Sequence, residues 1–163
     1  MNNLTGNEKL NRIEKRVTEA LAISPIIKAV AQRIGWDEAL TILQEANQQE
    51  AFQRGKIMAE EMTRNGIEEL VDDVAGWGCG GILEMDVLEQ TPTTYFFNVT
   101  RCPYYDKYKE LGLEEFGVGF SCCRDEPFAR GFNPQLRLER TKTIMEGSEY
   151  CDFRYYLDDK SLS

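Results

Sequence analysis

Histidine is absent from this sequence of 163 residues, and its absence removes several common kinds of catalytic site. Without an imidazole there is no Ser-His-Asp or Cys-His arrangement and no zinc site that contains histidine. The usual general base near neutral pH is missing as well. Acid-base chemistry must therefore fall to Asp, Glu, Cys, Tyr, Lys or a bound water.

Positive charge and long apolar runs are also scarce. The chain has 19 Lys and Arg against 28 Asp and Glu, which gives a formal net charge of -9. This balance opposes binding to nucleic acids, because their phosphates are held largely by Lys and Arg. No apolar run approaches the roughly 20 residues of a membrane helix, and the first residues lack the hydrophobic stretch of a signal peptide. We therefore expect a cytoplasmic protein that binds neither nucleic acid nor membrane.

Length and composition predict one folded domain over residues 1–163. Hydrophobic residues make up 42% and charged residues 29% of the chain, which is typical of globular proteins. The five cysteines are expected to remain thiols in the cytoplasm. They are then core, metal-binding or catalytic residues rather than disulfides.

The first part of the chain, residues 1–75, is rich in helix-forming residues and predicts a helical N-terminal part. A helix from about 8 to 23 is expected to stop at Ser24-Pro25, with a short helix continuing to 34. The longest segment, 37–64, has a polar middle, so one helix or two are both possible. A further helix is predicted over 67–75.

The second part, residues 76–160, predicts a core of helices and antiparallel strands. Its glycine-rich start favours a tight connector over a phosphate-binding loop, because no Gly-Lys-Ser/Thr follows. From there the apolar residues recur at about every second position, as in a β-strand. Strands are expected over 82–88, 95–102, 135–145 and 151–157, and helices over 103–111 and after Asp125. The predicted fold class is α+β, with the N-terminal helices packed on the sheet and helix core.

Three segments carry a family resemblance: NVTRCPYYDKYKELGLEEFG, CCRDEPFARGFNP and RLERTKTIMEGSEYCDFRY. Together they resemble the L-2-amino-thiazoline-4-carboxylate hydrolase family. The resemblance implies a hydrolase that adds water to a cyclic aminothiazoline and opens the ring to N-carbamoyl-cysteine. More distantly, the chain is similar to vinyl-reductase-type small-molecule-binding domains. That similarity implies a possible homodimer and, in sensor members, a structural zinc held by cysteines.

The matched segments place Cys102, Cys123 and Cys151 at motif positions, while Cys79 and Cys122 are interpreted as structural. Each motif cysteine is a candidate nucleophile, a buried core residue, or one ligand of a shared zinc. No cofactor is required by the sequence. Because Cys123 precedes the predicted start of a helix, we expect it to have the lowest thiol pKa of the three.

Asp125 is a candidate general base, with helix N-cap as its alternative role. Arg140 shares the apolar side of its predicted strand, so we expect it to meet a substrate carboxylate or a structural acid. Arg154 is the second candidate for substrate binding. It alternates with Cys151, however, and a solvated ion pair with Asp152 is the other interpretation.

These assignments predict an enzyme that opens a small carboxylate-bearing ring through a Cys/Asp/Arg site. Two alternatives stay open: a non-catalytic small-molecule sensor or carrier of the same fold, and a family member that acts on a different ring. The sequence does not determine the ring.

Overall fold

The computed structural model describes residues 11–79 and 81–158 and shows the predicted α+β class. Helices fill the first half of the chain, and an antiparallel sheet with shorter helices fills the second. The helices are α1 Arg12–Ile34, α2 Trp36–Glu61, α3 Ile67–Ala75, α4 Pro103–Glu110, α5 Gly117–Phe120 and α6 Asp125–Phe132; the strands are β1 Glu84–Gln90, β2 Thr94–Arg101, β3 Leu136–Glu139 and β4 Cys151–Leu157.

Helix α1 starts at a capping box. The Asn11 side chain accepts a hydrogen bond from Glu14 N at 2.9 Å, and the Glu14 carboxylate accepts one from Asn11 N at 3.1 Å. The predicted stop at Ser24-Pro25 is wrong, because α1 continues through Pro25 to Ile34. A proline removes one backbone hydrogen-bond donor. The helix is held by packing of buried residues before and after it: Ala20, Ser24, Ile27 and Ala31.

Helix α2 is one uninterrupted helix, which decides between the two alternatives for this segment. It separates from α1 at Gly35, whose φ of 94° favours glycine. It crosses α6 at Gly55 and Gly131, where an added Cβ would strike backbone atoms of the opposite helix. Within residues 11–79 and 81–158, no helix combines the length and apolar character needed to cross a membrane.

The sheet has the strand order β1-β2-β4-β3, and all neighbouring pairs are antiparallel. The predicted hairpin of the first two strands and the predicted last strand are confirmed. The third strand is much shorter than predicted and ends at Glu139, before Arg140. Asp152 explains this end, because its carboxylate accepts hydrogen bonds from the backbone N–H groups of Thr141 and Lys142, at 2.9 and 2.8 Å.

Two groups of buried side chains hold these elements together. One lies on the inner face of the sheet against α3 and α6, and in it the Phe97 and Phe153 rings stack at 4.8 Å. The other joins α1 and α2 to α4 and α5 around Tyr108, Phe116 and Phe120. Burial of such aromatic side chains contributes strongly to stability. The N-terminal helices are thereby fixed against the core, as predicted.

Candidate functional site

A cavity of about 310 Å³ lies among residues of α1, α2, α3, the sheet and the segment that precedes α6. Its volume is at the lower end of the range for small-molecule sites, roughly 300–1,000 Å³. Residues as far apart in the sequence as Arg12 and Phe153 line it. Only the folded chain brings them together.

One group of cavity residues, which we call the thiol wall, consists of Cys102, Cys122, Asp125, Arg140 and Cys151. Burial raises the pKa of the Cys102 thiol to about 11 and the pKa of Cys122 well above its ordinary value. Burial also raises the pKa of Cys151. These cysteines are therefore neutral thiols near pH 7, and the thiolate needed for nucleophilic attack is rare.

Asp125 and Arg140 form an ion pair within the thiol wall. Arg140 Nη1 donates to Asp125 Oδ2 at 2.5 Å, and Arg140 Nη2 donates to the carbonyl oxygen of Cys122 at 2.9 Å. The Arg140 guanidinium also lies 5.0 Å from the centre of the Phe153 ring. The expectation that Arg140 meets an acidic partner is met by Asp125.

Asp125 is the first residue of α6 and not its N-cap, which corrects that interpretation. Its carboxylate turns to Arg140, and its side chain remains 22% exposed. Burial raises the pKa of Asp125, although the positive charge of Arg140 works in the opposite direction. A carboxylate with a raised pKa is a stronger base than an exposed one.

Cys102 and Cys151 line the cavity and Cys123 does not, so a site shared by all three motif cysteines is not supported there. The Cys123 Sγ lies 3.2 Å from the carbonyl oxygen of Gly119 and contacts the backbone of Gln44. The prediction of a depressed pKa is wrong, because burial, together with the charge of Asp125, raises the pKa of Cys123 to about 12. Its neighbour Cys122, interpreted as structural from the sequence, takes the position on the cavity.

The described residues also bear on the zinc alternative. Across 11–79 and 81–158, no group of three or more His, Cys, Asp or Glu side chains is arranged to hold a metal ion. A closed structural zinc site normally needs four such ligands. Ligation of zinc by Cys102, Cys123 and Cys151 is not supported by this geometry.

Arg154, the second candidate for substrate binding, lies on the outer face of the sheet and does not line this cavity. It donates to the carbonyl oxygens of Phe97 and Phe153 at 2.9 and 2.8 Å, and to Asn98 Oδ1 at 2.9 Å. Asp152 binds the turn after β3 instead of pairing with it. Strand alternation places the two on the side opposite Cys151 and Phe153.

A second group of cavity residues, which we call the cationic wall, was missed by the sequence analysis. It consists of five basic residues: Arg12, Lys15, Arg16, Arg54 and Arg124. The sequence could have indicated part of this wall, because Arg12, Lys15 and Arg16 are spaced three and four residues apart and so lie on one side of α1. The contributions from α2 and from the turn before α6 depend on tertiary packing.

Members of the cationic wall differ in their acidic partners. Among the described residues, three have a close one: Arg12 with Asp73, Arg16 with Glu19 and Arg124 with Glu50. For Lys15 and Arg54, the carboxylate oxygens stand farther off, at 4.0 Å in Glu19 and 3.9 Å in Glu50. Those separations exceed hydrogen-bond length.

Positive charge accumulates at this wall. Burial and the neighbouring arginines lower the pKa of Lys15 and of Arg54, and they lower the pKa of Arg124 to about 10. Like charges that crowd together disfavour one another's charged forms. An anion that entered the cavity would relieve this repulsion, and the surrounding low-dielectric walls would concentrate the field on it.

The fold and this cavity define an α+β protein with a site of small-molecule size, lined by a group of cations and by a second group of thiols and an ion pair. The sequence model of the L-2-amino-thiazoline-4-carboxylic acid hydrolase family matches residues 15–155, and the chain belongs to this family. The match contains both walls except Arg12. Among curated proteins, no sequence matches the chain significantly.

Proposed function

We propose that this protein is a hydrolase that opens a small heterocycle carrying a carboxylate, with 2-aminothiazoline-4-carboxylate as substrate and N-carbamoyl-cysteine as product. One observation carries the proposal. In a chain of net charge -9, five cations line a small cavity together with a mostly buried aspartate that is held by an arginine. Membership in the family suggests which ring the anion contains, an aminothiazoline.

The reaction proceeds in two stages that add one water to the substrate. First, the water oxygen bonds to the ring carbon between nitrogen and sulfur, the π electrons of the C=N bond move to the ring nitrogen, and one water proton passes through Asp125 to that nitrogen. The bond between that carbon and sulfur then breaks, and its electron pair goes to sulfur. The remaining hydroxyl proton passes to the sulfur as the carbonyl forms, and the product has a free thiol and a carbamoyl group.

Asp125 is the residue best suited to move these protons. Its raised pKa makes it a better base than an exposed aspartate. Arg140 fixes the position of the carboxylate through a direct hydrogen bond. A tightly held base loses less entropy on reaching the reactive arrangement, which favours proton transfer.

The cysteines contribute a soft surface in this proposal and do not attack the ring. Their pKa values lie above neutrality, so thiolate is scarce at pH 7. Neutral thiols are small, apolar and polarisable. They suit the ring sulfur and the thiol that it becomes.

The test is incubation of the purified chain with 2-aminothiazoline-4-carboxylate in ¹⁸O-labelled water. We expect N-carbamoyl-cysteine, detected by mass spectrometry, with one ¹⁸O in its carbamoyl group. Binding of the ring without product would favour the sensor or carrier alternative. Neither binding nor product would refute the proposed substrate.

A further inference from the structure

Arg140 is already engaged by the protein. Its two terminal nitrogens donate to Asp125 and to the carbonyl oxygen of Cys122, and its planar face lies over the Phe153 ring. A guanidinium binds a carboxylate best when both terminal donors of its fork are available. A substrate carboxylate that used this fork would displace Asp125, the proposed base.

Lys15 and Arg54 are in the opposite situation. They reach the same cavity from two different helices, α1 and α2, and their side chains are 46% and 43% exposed. Their carboxylate neighbours lie at 4.0 and 3.9 Å, so neither has a close charge-assisted hydrogen bond to those acids. The other three cations of the wall have closer acidic partners.

Their electrostatic surroundings favour an added anion. Burial lowers the pKa of both side chains, and nearby arginines lower each further. Glu19 raises both pKa values and offsets this only in part, since it also pairs with Arg16, as Glu50 pairs with Arg124. A carboxylate between α1 and α2 would bring acceptor oxygens closer to both cations than the nearest carboxylates of the described residues, those of Glu19 and Glu50.

We propose that Lys15 and Arg54 together bind the substrate's carboxylate, and that Arg140 is a positioning residue for Asp125. This rests on the proposed function for the identity of the ring. The substrate then spans the cavity, with its carboxylate at the cationic wall and its ring at the thiol wall. The pair selects rings that carry an acid group over otherwise identical neutral rings.

The experiment compares 2-aminothiazoline-4-carboxylate with 2-aminothiazoline, which lacks the carboxylate. Lys15→Met and Arg54→Met should each raise KM for the acid by about 10- to 100-fold, with kcat little changed. The same variants should leave turnover or binding of the neutral ring as in the wild type. Matched controls are Arg33→Met on α1 and Lys56→Met on α2, both exposed and outside the cavity lining. They should change neither KM for the acid nor turnover or binding of the neutral ring.

Two results would overturn the assignment. One is an equal loss on the neutral ring, which would make the two residues structural. The other is an unchanged KM for the acid, with Arg140→Met raising it instead. Thermal unfolding midpoints close to the wild type would show that each variant is folded.

Calorimetric binding separates this inference from the proposed function. If the wild type binds the acid without turning it over, the hydrolase proposal fails. Binding of the carboxylate by Lys15 and Arg54 is still supported when Arg54→Met loses that binding and Lys56→Met keeps it. Equal binding by both variants, or no binding by the wild type, overturns the assignment of Lys15 and Arg54 as the carboxylate-binding residues.

Discussion

The two walls of the cavity handle charge in opposite ways. On the thiol wall, the one carboxylate and the one guanidinium neutralise each other at 2.5 Å, and the cysteines are neutral. On the cationic wall, five basic side chains crowd together, and burial with the neighbouring arginines lowers the pKa of Lys15, Arg54 and Arg124. The difference separates two tasks, because a neutral wall suits proton transfer and an unbalanced positive wall suits binding of an anion.

The separation also has a thermodynamic consequence. Repulsion on the cationic wall is present in the empty protein and falls when an anion binds. A ligand that binds only the folded state raises the free energy of unfolding by mass action. Carboxylate ligands should therefore stabilise this protein more than neutral analogues of the same size.

Asp125→Asn should have the largest effect of the variants that test this comparison. The amide cannot accept a proton from water, so we expect kcat to fall by about 10²- to 10⁴-fold. Binding of the substrate should persist, because its carboxylate contacts the other wall. Kinetics and calorimetry on the same preparation measure the two quantities.

Asp72→Asn, an exposed change on α3, is the control for that experiment. A variant at Asp125 that turned over at the wild-type rate would remove the residue as the base. Loss of binding together with turnover would show that the two walls are not separate in function.

Arg140→Met should change the pH dependence of kcat. Asp125 must be ionised to act as a base, and Arg140 is the main influence that lowers its pKa. Without Arg140 the pKa of Asp125 rises further, so the acid limb of the profile should move to higher pH by about 1–3 units. Activity would then be lost mainly at low pH, as a series of rate measurements from acid to alkaline buffer would show.

The matched control for Arg140 is Arg137→Met on β3, where the side chain is exposed and paired with Glu139. An unchanged acid limb, with a raised KM as the only effect, would make Arg140 a substrate-binding residue. That outcome would restore the role expected from the sequence.

Replacement of the two adjacent cysteines should have the smallest effect. Cys122→Ser removes a polarisable contact from the cavity and should lower kcat/KM by about 5- to 10-fold. Cys123→Ser should stay close to the wild type, because its sulfur contacts the backbone of Gly119 outside the cavity lining. Steady-state kinetics on both variants compares them directly.

A loss of turnover beyond about 10²-fold in Cys122→Ser would indicate covalent attack by a thiol. Such a loss in Cys123→Ser instead would support the nucleophile first expected from the sequence. Either result would mean that the thiol wall is more than a neutral surface.

Local patterns predicted much of the thiol wall and little of the cationic wall. Arg140 and Asp125 lie in the family segments, and apolar alternation along the predicted strand pointed Arg140 inward. The strand itself ends earlier than predicted, because the carboxylate of Asp152 binds the backbone of the next two residues. The sequence favoured Cys123, but Cys122 lines the cavity, since a one-residue rotation in a turn decides which side chain faces it.

By itself the sequence determined the α+β class, the positions of most elements and the family. Periodicity and capping act over a few residues, so they are legible in a linear chain. Tertiary structure alone decided that α1 continues through Pro25, because packing on both sides of the proline outweighs a lost backbone hydrogen bond. It also decided the cationic wall. Lys15 and Arg54 are 39 positions apart, and only the packing of α1 on α2 brings both to the cavity.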